Sequence, residues 1–424
     1  MKKIALLIII MLSCVMNLSA NRAIYLLPGV WKQGVTNEAF IVCAYNSSDE
    51  LTQAPLSVMT NTYVYEASVP DNTVKIVFVR YNSSTYTGDP YADGVKWNQT
   101  GDVAISTGTT PLFYQISDWS AYYEIYTGLS GFGDWSSYTY LTLGDDFEFT
   151  GVLDLSETST DQDFKIRLRD DWVGNSVSDK EKWTADVPSG WIEGDDNITL
   201  KHSTTGYRKY NISLKWTPSA DWWTGWTLKI TGAVPKTVNV SVGAKGYATY
   251  CNADYALDFT GKSIAAYTIS SSDGSTLTLS QKYEVAKGEP VLLYSSSSND
   301  SQDIPTIDAA VATAGNKLVQ GTGAALTWAV GSEYYVLATA TVEPGFYKAN
   351  NNTVATDKAY LDLRGLAAAP SFTLDLDEGN TTGIANISSE KEAMNGAFYN
   401  LAGQKVAQPT KGLYIMNGKK VIIK

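Results

Sequence analysis

The residues of this chain best suited to a chemical task are its aromatic rings, and the task they suit is binding. A sugar ring offers a flat C–H face edged by hydroxyls, so a protein holds it with an exposed aromatic plate and flanking amides or carboxylates. Eleven of the 12 tryptophans fall between Trp31 and Trp226. Trp97, Trp172, Trp183, Trp191, Trp222 and Trp223 stand among Gly, Asp and Asn in apparent loops, whereas Trp216 and Trp226 alternate with polar neighbours and read as core. Trp97-Asn98-Gln99 is the best single candidate, because two side-chain amides beside a ring can make paired bonds to vicinal hydroxyls. The alternatives are a turn held by Asn98 and Thr100 and, for any loop tryptophan, burial over a sheet edge.

Other chemistries find little support. His202 is the only histidine, which removes most Ser-His, Cys-His and His-metal arrangements. Carboxylates cluster at Asp161-Gln162-Asp163, Asp170-Asp171 and Glu193-Gly194-Asp195-Asp196. A glycosidase needs two carboxylates a few ångströms apart on a scaffold, which sequence neighbours do not establish, and solvated loop charge is the reading adopted. None of these runs matches an EF-hand loop, and Cys43 and Cys251 lack metal spacing and read as small core residues. No cofactor is expected, and no enzymatic activity.

The elements that must position the rings are strands. At 424 residues the chain has room for about three domains, at about 100 to 200 residues each. Charged residues make up only 18%, and Ser, Thr, Asn, Gly and Tyr abound, the composition of secreted β-rich proteins. The net charge of −12 argues against nucleic acid or an anionic membrane surface as partner and favours a neutral one. Lys2 and Lys3, the apolar run from Ile4 to Leu12 and Leu18-Ser19-Ala20 make 1–20 a signal peptide, too short to span a bilayer. Cys14 stands where a lipoprotein cysteine would, but Met11 three positions before it favours cleavage after Ala20. No other stretch is apolar enough for a membrane span.

From Asn21 onward, short strands recur between Gly, Pro, Asn and Asp clusters. Thr62 to Ala67 and Val74 to Tyr81 form a pair joined by Pro70-Asp71-Asn72, and Val103 to Ile105 closes a first module at residue 120. In a second, 121–233, Phe164, Ile166 and Leu168 alternate with Lys165, Arg167 and Arg169. The tryptophans almost stop in 234–377, a β-rich spacer with a short helix expected over Ile307 to Ala314; 378–395 is a linker. In 396–424, Ala402-Gly403 and Asn417-Gly418 each lie between apolar runs, which predicts two small hairpins.

Four resemblances extend this reading. Pro28-Gly29-Val30-Trp31, Phe40 to Tyr45, Val77-Phe78-Val79-Arg80 and the run from Trp97 to Asp102 resemble the β-sandwich starch-binding modules of carbohydrate-binding family 26. That adds Trp31 and Tyr45 to Trp97, Asn98, Gln99, Trp172 and Trp191 as carbohydrate-binding residues and implies an α-glucan such as starch. The second module resembles, more weakly, sandwich domains of outer-membrane starch-binding lipoproteins. The tail, with Gly412-Leu413-Tyr414, Gly418, Lys419, Lys420 and Lys424, resembles the C-terminal sorting domain of the Bacteroidetes Por (type IX) secretion pathway. GYATYC at 246–251, with 345–349 and 358–363, is similar to a β-rich module that precedes such tails.

The expectation is an all-β chain of tandem β-sandwich modules with a small C-terminal hairpin domain. Its expected role is an exported, non-catalytic glycan-binding protein of the outer membrane or cell surface, with a polysaccharide or oligosaccharide and the secretion machinery as partners. A structural or adhesive surface protein with no glycan ligand is the alternative.

Overall fold

A computed structural model describes residues 20–376 apart from 61, 180–181, 220–222, 274–275, 327–332, 340–342, 350–351, 367–368 and 375, and, beyond these, strand segments between 387 and 423. Most of the expected signal peptide and linker, Trp222, Trp328, Gly418 and Lys424 lie outside the described residues. Among the described residues the architecture is all β, with two 3-10 turns, Gly29–Trp31 and Asp145–Phe147, and no helix long and apolar enough to cross a membrane. The chain divides into two compact units between Lys236 and Thr237.

The first unit begins with a nine-stranded sheet that curls into a half-barrel. Leu51–Val58 makes the corner: residues 51 to 56 pair with Glu38–Asn46, while Ser57 and Val58 pair with Tyr65–Pro70. Tyr65–Pro70 and Thr73–Asn82 are consecutive but do not pair with each other, so the connection through Asp71-Asn72 crosses between sheet regions and is not the hairpin turn its sequence suggested. Ile24, Leu26, Phe40, Val42, Ile76 and Phe78 fill the inside of the curl. The opposite face is buried too: Ile41, Cys43, Val77 and Val79 are covered by a loop carrying Tyr86 and Tyr91. Burial on both faces explains why these strands read as nearly continuous apolar runs rather than alternating ones.

Two further sheets of this unit share one core. The six-stranded sheet contributes Leu129, Phe164, Ile166 and Leu168; the five-stranded one contributes Phe149, Leu153, Ile212, Leu214, Trp216 and Trp226. Tyr25, Leu27, Val64 and Phe113 of the curled sheet enter that same core, which therefore runs across residue 120. Phe147, at a left-handed φ of 57°, is turned into the junction, 4.8 Å from the ring of Tyr25 and 5.5 Å from that of Phe113.

The second unit holds a four-stranded sheet, two five-stranded sheets and the small terminal sheet. Cys251 is buried here and Cys43 in the first unit, both as free thiols. The helix expected over Ile307 to Ala314 does not form: Ile307 ends the strand Ser301–Ile307, opposite Ala256, and the segment after it is irregular. Its polar groups go to neighbours, Lys282 Nζ donating to the carbonyl of Val311 and the Thr313 amide to Glu289 Oε1, so local helix bonds are replaced by tertiary ones. At the C-terminus, Gly412–Met416 and Lys419–Ile423 pair antiparallel with Met416 opposite Lys419, which leaves a two-residue connection at 417–418. Phe398–Tyr399 and Lys405–Val406 form the other hairpin, and Tyr399 opposite Ile415 joins the two into one sheet.

Candidate functional site

The outer face of the six-stranded sheet carries the richest surface group of rings and charges. In Gln162–Leu168 the side chains of Phe164, Ile166 and Leu168 are fully buried, so the two-residue period points Lys165 and Arg167 outward. Opposite them on Thr127–Gly131 stand only Ser130 and Gly128. That leaves a shallow bed into which rings from the flanking strands lean. A Cβ on Gly128 would lie 2.6 Å from Cε1 of Tyr138 and 2.1 Å from the Thr139 carbonyl oxygen, so the bare backbone there is what lets Tyr138 lie down.

The rings come from Asp134–Tyr140 on one side and Asp171–Gly174 on the other. Trp135 and Trp172 meet edge to face with centroids 6.2 Å apart, and both are exposed, at 42% and 40%. Lys165 Nζ lies 5.7 Å from each indole, and the Arg167 guanidinium lies 4.5 Å from Trp172 and 5.0 Å from Tyr138. Tyr138 continues the row to Tyr140 at 4.2 Å and Tyr126 at 6.2 Å. Burial pushes the Tyr138 phenol up, so it stays neutral and donates. Arg169, in a left-handed conformation just past the strand, lays its guanidinium 4.0 Å from the ring of Tyr123. Rings in a row with cations between them can stack on C–H faces and donate to oxygen at their rims.

The carboxylates around this face are held by hydroxyls or by cations elsewhere. Asp134 accepts from the hydroxyls of Ser136 and Ser137, which hold its carboxyl down at about 2. Asp163 accepts from Thr199, and Asp170 from the Tyr126 phenol. Asp161 is likewise held at about 2, by Lys201 and Ser203. None of these contacts brings two carboxylates together across a cleft. Among the described residues no group of three or more His, Cys, Asp or Glu is placed to hold a metal ion.

Of the residues singled out in the sequence, Trp172 belongs to this face and the others are dispersed. Trp31 is fully buried in the curled sheet, its indole N–H donating to the carbonyl of Trp119 at 3.0 Å. Tyr45 is half-buried, its hydroxyl 3.2 Å from that of Tyr91 and its ring under Lys75 at 4.5 Å. Trp191 is half-buried against Tyr207 at 5.5 Å. Trp97, Asn98 and Gln99 lie in an edge strand, Lys96–Gln99, not in a loop; Trp172 and Trp183 are likewise on short strands, Asp171–Gly174 and Trp183–Asp186. Four-residue strands are too short to show a period, which is why they read as loops. The Arg80 guanidinium lies 4.9 Å from the Trp97 ring and donates to Asn98 Oδ1 at 3.1 Å, and Gln99 Oε1 accepts from Lys96, so these amides already have partners within the chain.

Sequence reading missed Trp135, Tyr138 and Tyr140. Tyr138 and Tyr140 alternate around Thr139, but Trp135 is an odd number of positions from them, the pairing of this strand is irregular between Leu129 and Gly131, and nothing local says that these rings face solvent. Trp119, 49% exposed at the rim of the Arg80 cluster, was missed as well. A groove of about 420 Å³ on the outer face of the five-stranded sheet, lined by Glu148, Thr150, Val152, Asn211, Lys229 and Thr231 among others, has no ring in its wall. The aromatic face is therefore the stronger candidate. No protein-family model matches this sequence, and no curated protein and no solved structure matches the chain.

Proposed function

We propose that this chain is a non-catalytic glycan-binding protein, exported and displayed at the cell surface, whose principal binding face is the row Trp135, Trp172, Tyr138 and Tyr140. The observation that carries the reading is the solvent-facing Trp135–Trp172 pair, two large rings held at the surface by a sheet rather than folded into a core. A rigid β face presents the plates without an ordering cost, but one or two stacked rings leave little surplus, so affinity at this face is weak, and repetition along a polymer raises it. An α-glucan is the first ligand to test, because the N-terminal stretch resembles starch-binding modules; the Arg80, Trp97 and Trp119 cluster is then an accessory contact.

Affinity electrophoresis of the full chain against starch, glycogen, pullulan, xylan, mannan and polygalacturonate tests the reading. Retardation by one polymer, weakened about tenfold in Trp172→Ala and in Trp135→Ala, supports it, since a stacking contact contributes about 0.5 to 1.5 kcal/mol beyond the area it covers. No retardation by any polymer, with the chain shown to be folded, favours the structural or adhesive reading instead. The tail is read as the sorting signal, with Gly412 and Tyr414 on one strand and Lys419 and Lys420 on its partner. Deleting 396–424 is expected to hold the protein in the periplasm, and unchanged surface display would remove that role.

A further inference from the structure

The chain as a whole carries a net charge of −12, yet the rings of this face are stacked with cations. Elsewhere in the same unit, Lys75, Arg80, Lys201, Lys209 and Lys229 each form an ion pair with a carboxylate. Lys165, Arg167 and Arg169 do not; among the described residues they rest on rings instead. Asp134, Asp163 and Asp170 each accept from a hydroxyl rather than from one of these cations. The Asp170 contact to Arg167 is through its backbone carbonyl, which takes the guanidinium Nη2 at 2.9 Å, while Nη1 reaches Ser130 Oγ at 3.5 Å, so neither bond is to a carboxylate.

A cation stacked on an aromatic face keeps its charge and has its side chain held in place. The cations lie among the aromatic plates: Lys165 between Trp135 and Trp172, Arg167 between Trp172 and Tyr138. A neutral sugar would use the plates and leave the charge unanswered. A uronic acid has the same flat C–H face and puts a carboxylate at the edge of the ring, where a guanidinium makes a charge-assisted bond roughly twice as strong as a neutral one.

We infer that the ligand of this face is an acidic polysaccharide, with sugar rings stacked on Trp135, Trp172 and Tyr138 and uronate carboxylates taken by Lys165, Arg167 and Arg169. The inference rests on the glycan-binding reading above and, for this face, replaces the neutral α-glucan with a charged polymer.

The test compares polygalacturonate with the same polymer after carboxyl reduction, which keeps the chain and removes the charge. In affinity electrophoresis of the full chain at low and at physiological salt, polygalacturonate should retard the protein at least about tenfold more strongly than the reduced polymer, and the difference should shrink as salt rises. Lys165→Gln with Arg167→Gln should abolish the difference; Lys165→Gln alone, which leaves Arg167 on its rings, should reduce it partway, with thermal melts confirming that both variants are folded. Equal retardation by the native and reduced polymers overturns the charge inference and leaves glycan binding standing. So does retardation by a neutral polymer of the panel without any by polygalacturonate. Equal retardation by duplex DNA at the same salt makes the face a general polyanion surface and overturns the glycan assignment. Retardation by no polymer at all removes both readings together.

Discussion

The ring of Phe113 stands 5.6 Å from the indole of Trp216, centroid to centroid and 35° from parallel. Phe113 belongs to the curled sheet and Trp216 to the five-stranded sheet, and both are at most 1% exposed. The contact joins residues more than a hundred positions apart into one core, so the segments either side of residue 120 should lose their packing together. Trp216→Ala is expected to destabilise by about 3 to 5 kcal/mol and Phe113→Ala by a similar amount. In denaturant melts of the chain, the double variant should cost less than the sum of the two, because each single change already empties part of the shared space. Additive losses would mean that the two rings lie in independent cores.

Arg80 and Glu38 make the tightest charge contact of the curled sheet, Nη2 to Oε1 at 2.6 Å, with side-chain exposures of 8% and 2%. Arg80→Met should destabilise by up to about 3 kcal/mol, since it takes the guanidinium from a buried carboxylate and leaves it only Lys32 Nζ at 3.7 Å and the amides of Gln33 and Gly34, whereas Arg80→Met with Glu38→Gln should recover much of the loss. Trp97→Ala removes only a half-buried ring over Arg80, and a smaller loss of about 1 to 2 kcal/mol is expected. Equal losses for Trp97→Ala and Arg80→Met in chemical denaturation would place Trp97 among the core residues.

Gly128→Ala should disturb the binding face without touching a ring. The added methyl meets the Thr139 carbonyl at 2.1 Å and Tyr138 at 2.6 Å, so the strand or the ring must shift, at about 1 to 3 kcal/mol. A loss of polysaccharide retardation in the still-folded variant, below its melting temperature, is the expected result. Unaltered retardation would separate Tyr138 from the ligand.

His202 offers a clean pH experiment, because no other histidine competes with it. Its Nε2 lies 2.9 Å from the Thr158 carbonyl, so it donates there and Nδ1 accepts from the Tyr210 hydroxyl at 2.8 Å; this neutral tautomer is buried. Burial lowers its pKa below the usual 6.5. The unfolded chain therefore takes up the proton first as pH falls, so this group's contribution to stability is whole above about 6.5 and declines below it until the folded value is reached. Denaturant melts from pH 8 to pH 5 should show that decline in the parent chain and a flatter profile in His202→Gln. The same slope in both would assign it to another group.

Local pattern was enough to read the all-β class, the strand at Gln162–Leu168 from its strict alternation, and the core places of Trp216 and Trp226. The same holds for a terminal hairpin with a two-residue connection. Each depends on a period of two or on a turn dipeptide, information carried by residues adjacent in the chain. What covers the second face of a strand is not local. Tyr25 and Leu27 are buried only because Phe147 and Trp216 arrive from far along the chain, and Trp31, which the resemblance made a binding residue, is buried at the end of a 3-10 turn. Trp135 and Trp172 are 37 positions apart in the numbering and become a pair only because Asp134–Tyr140 and Asp171–Gly174 flank the same two strands of one sheet. Their types were legible in the sequence; their meeting, and the cations stacked between them, were decided by sheet order, which long-range pairing sets and no short window of sequence contains.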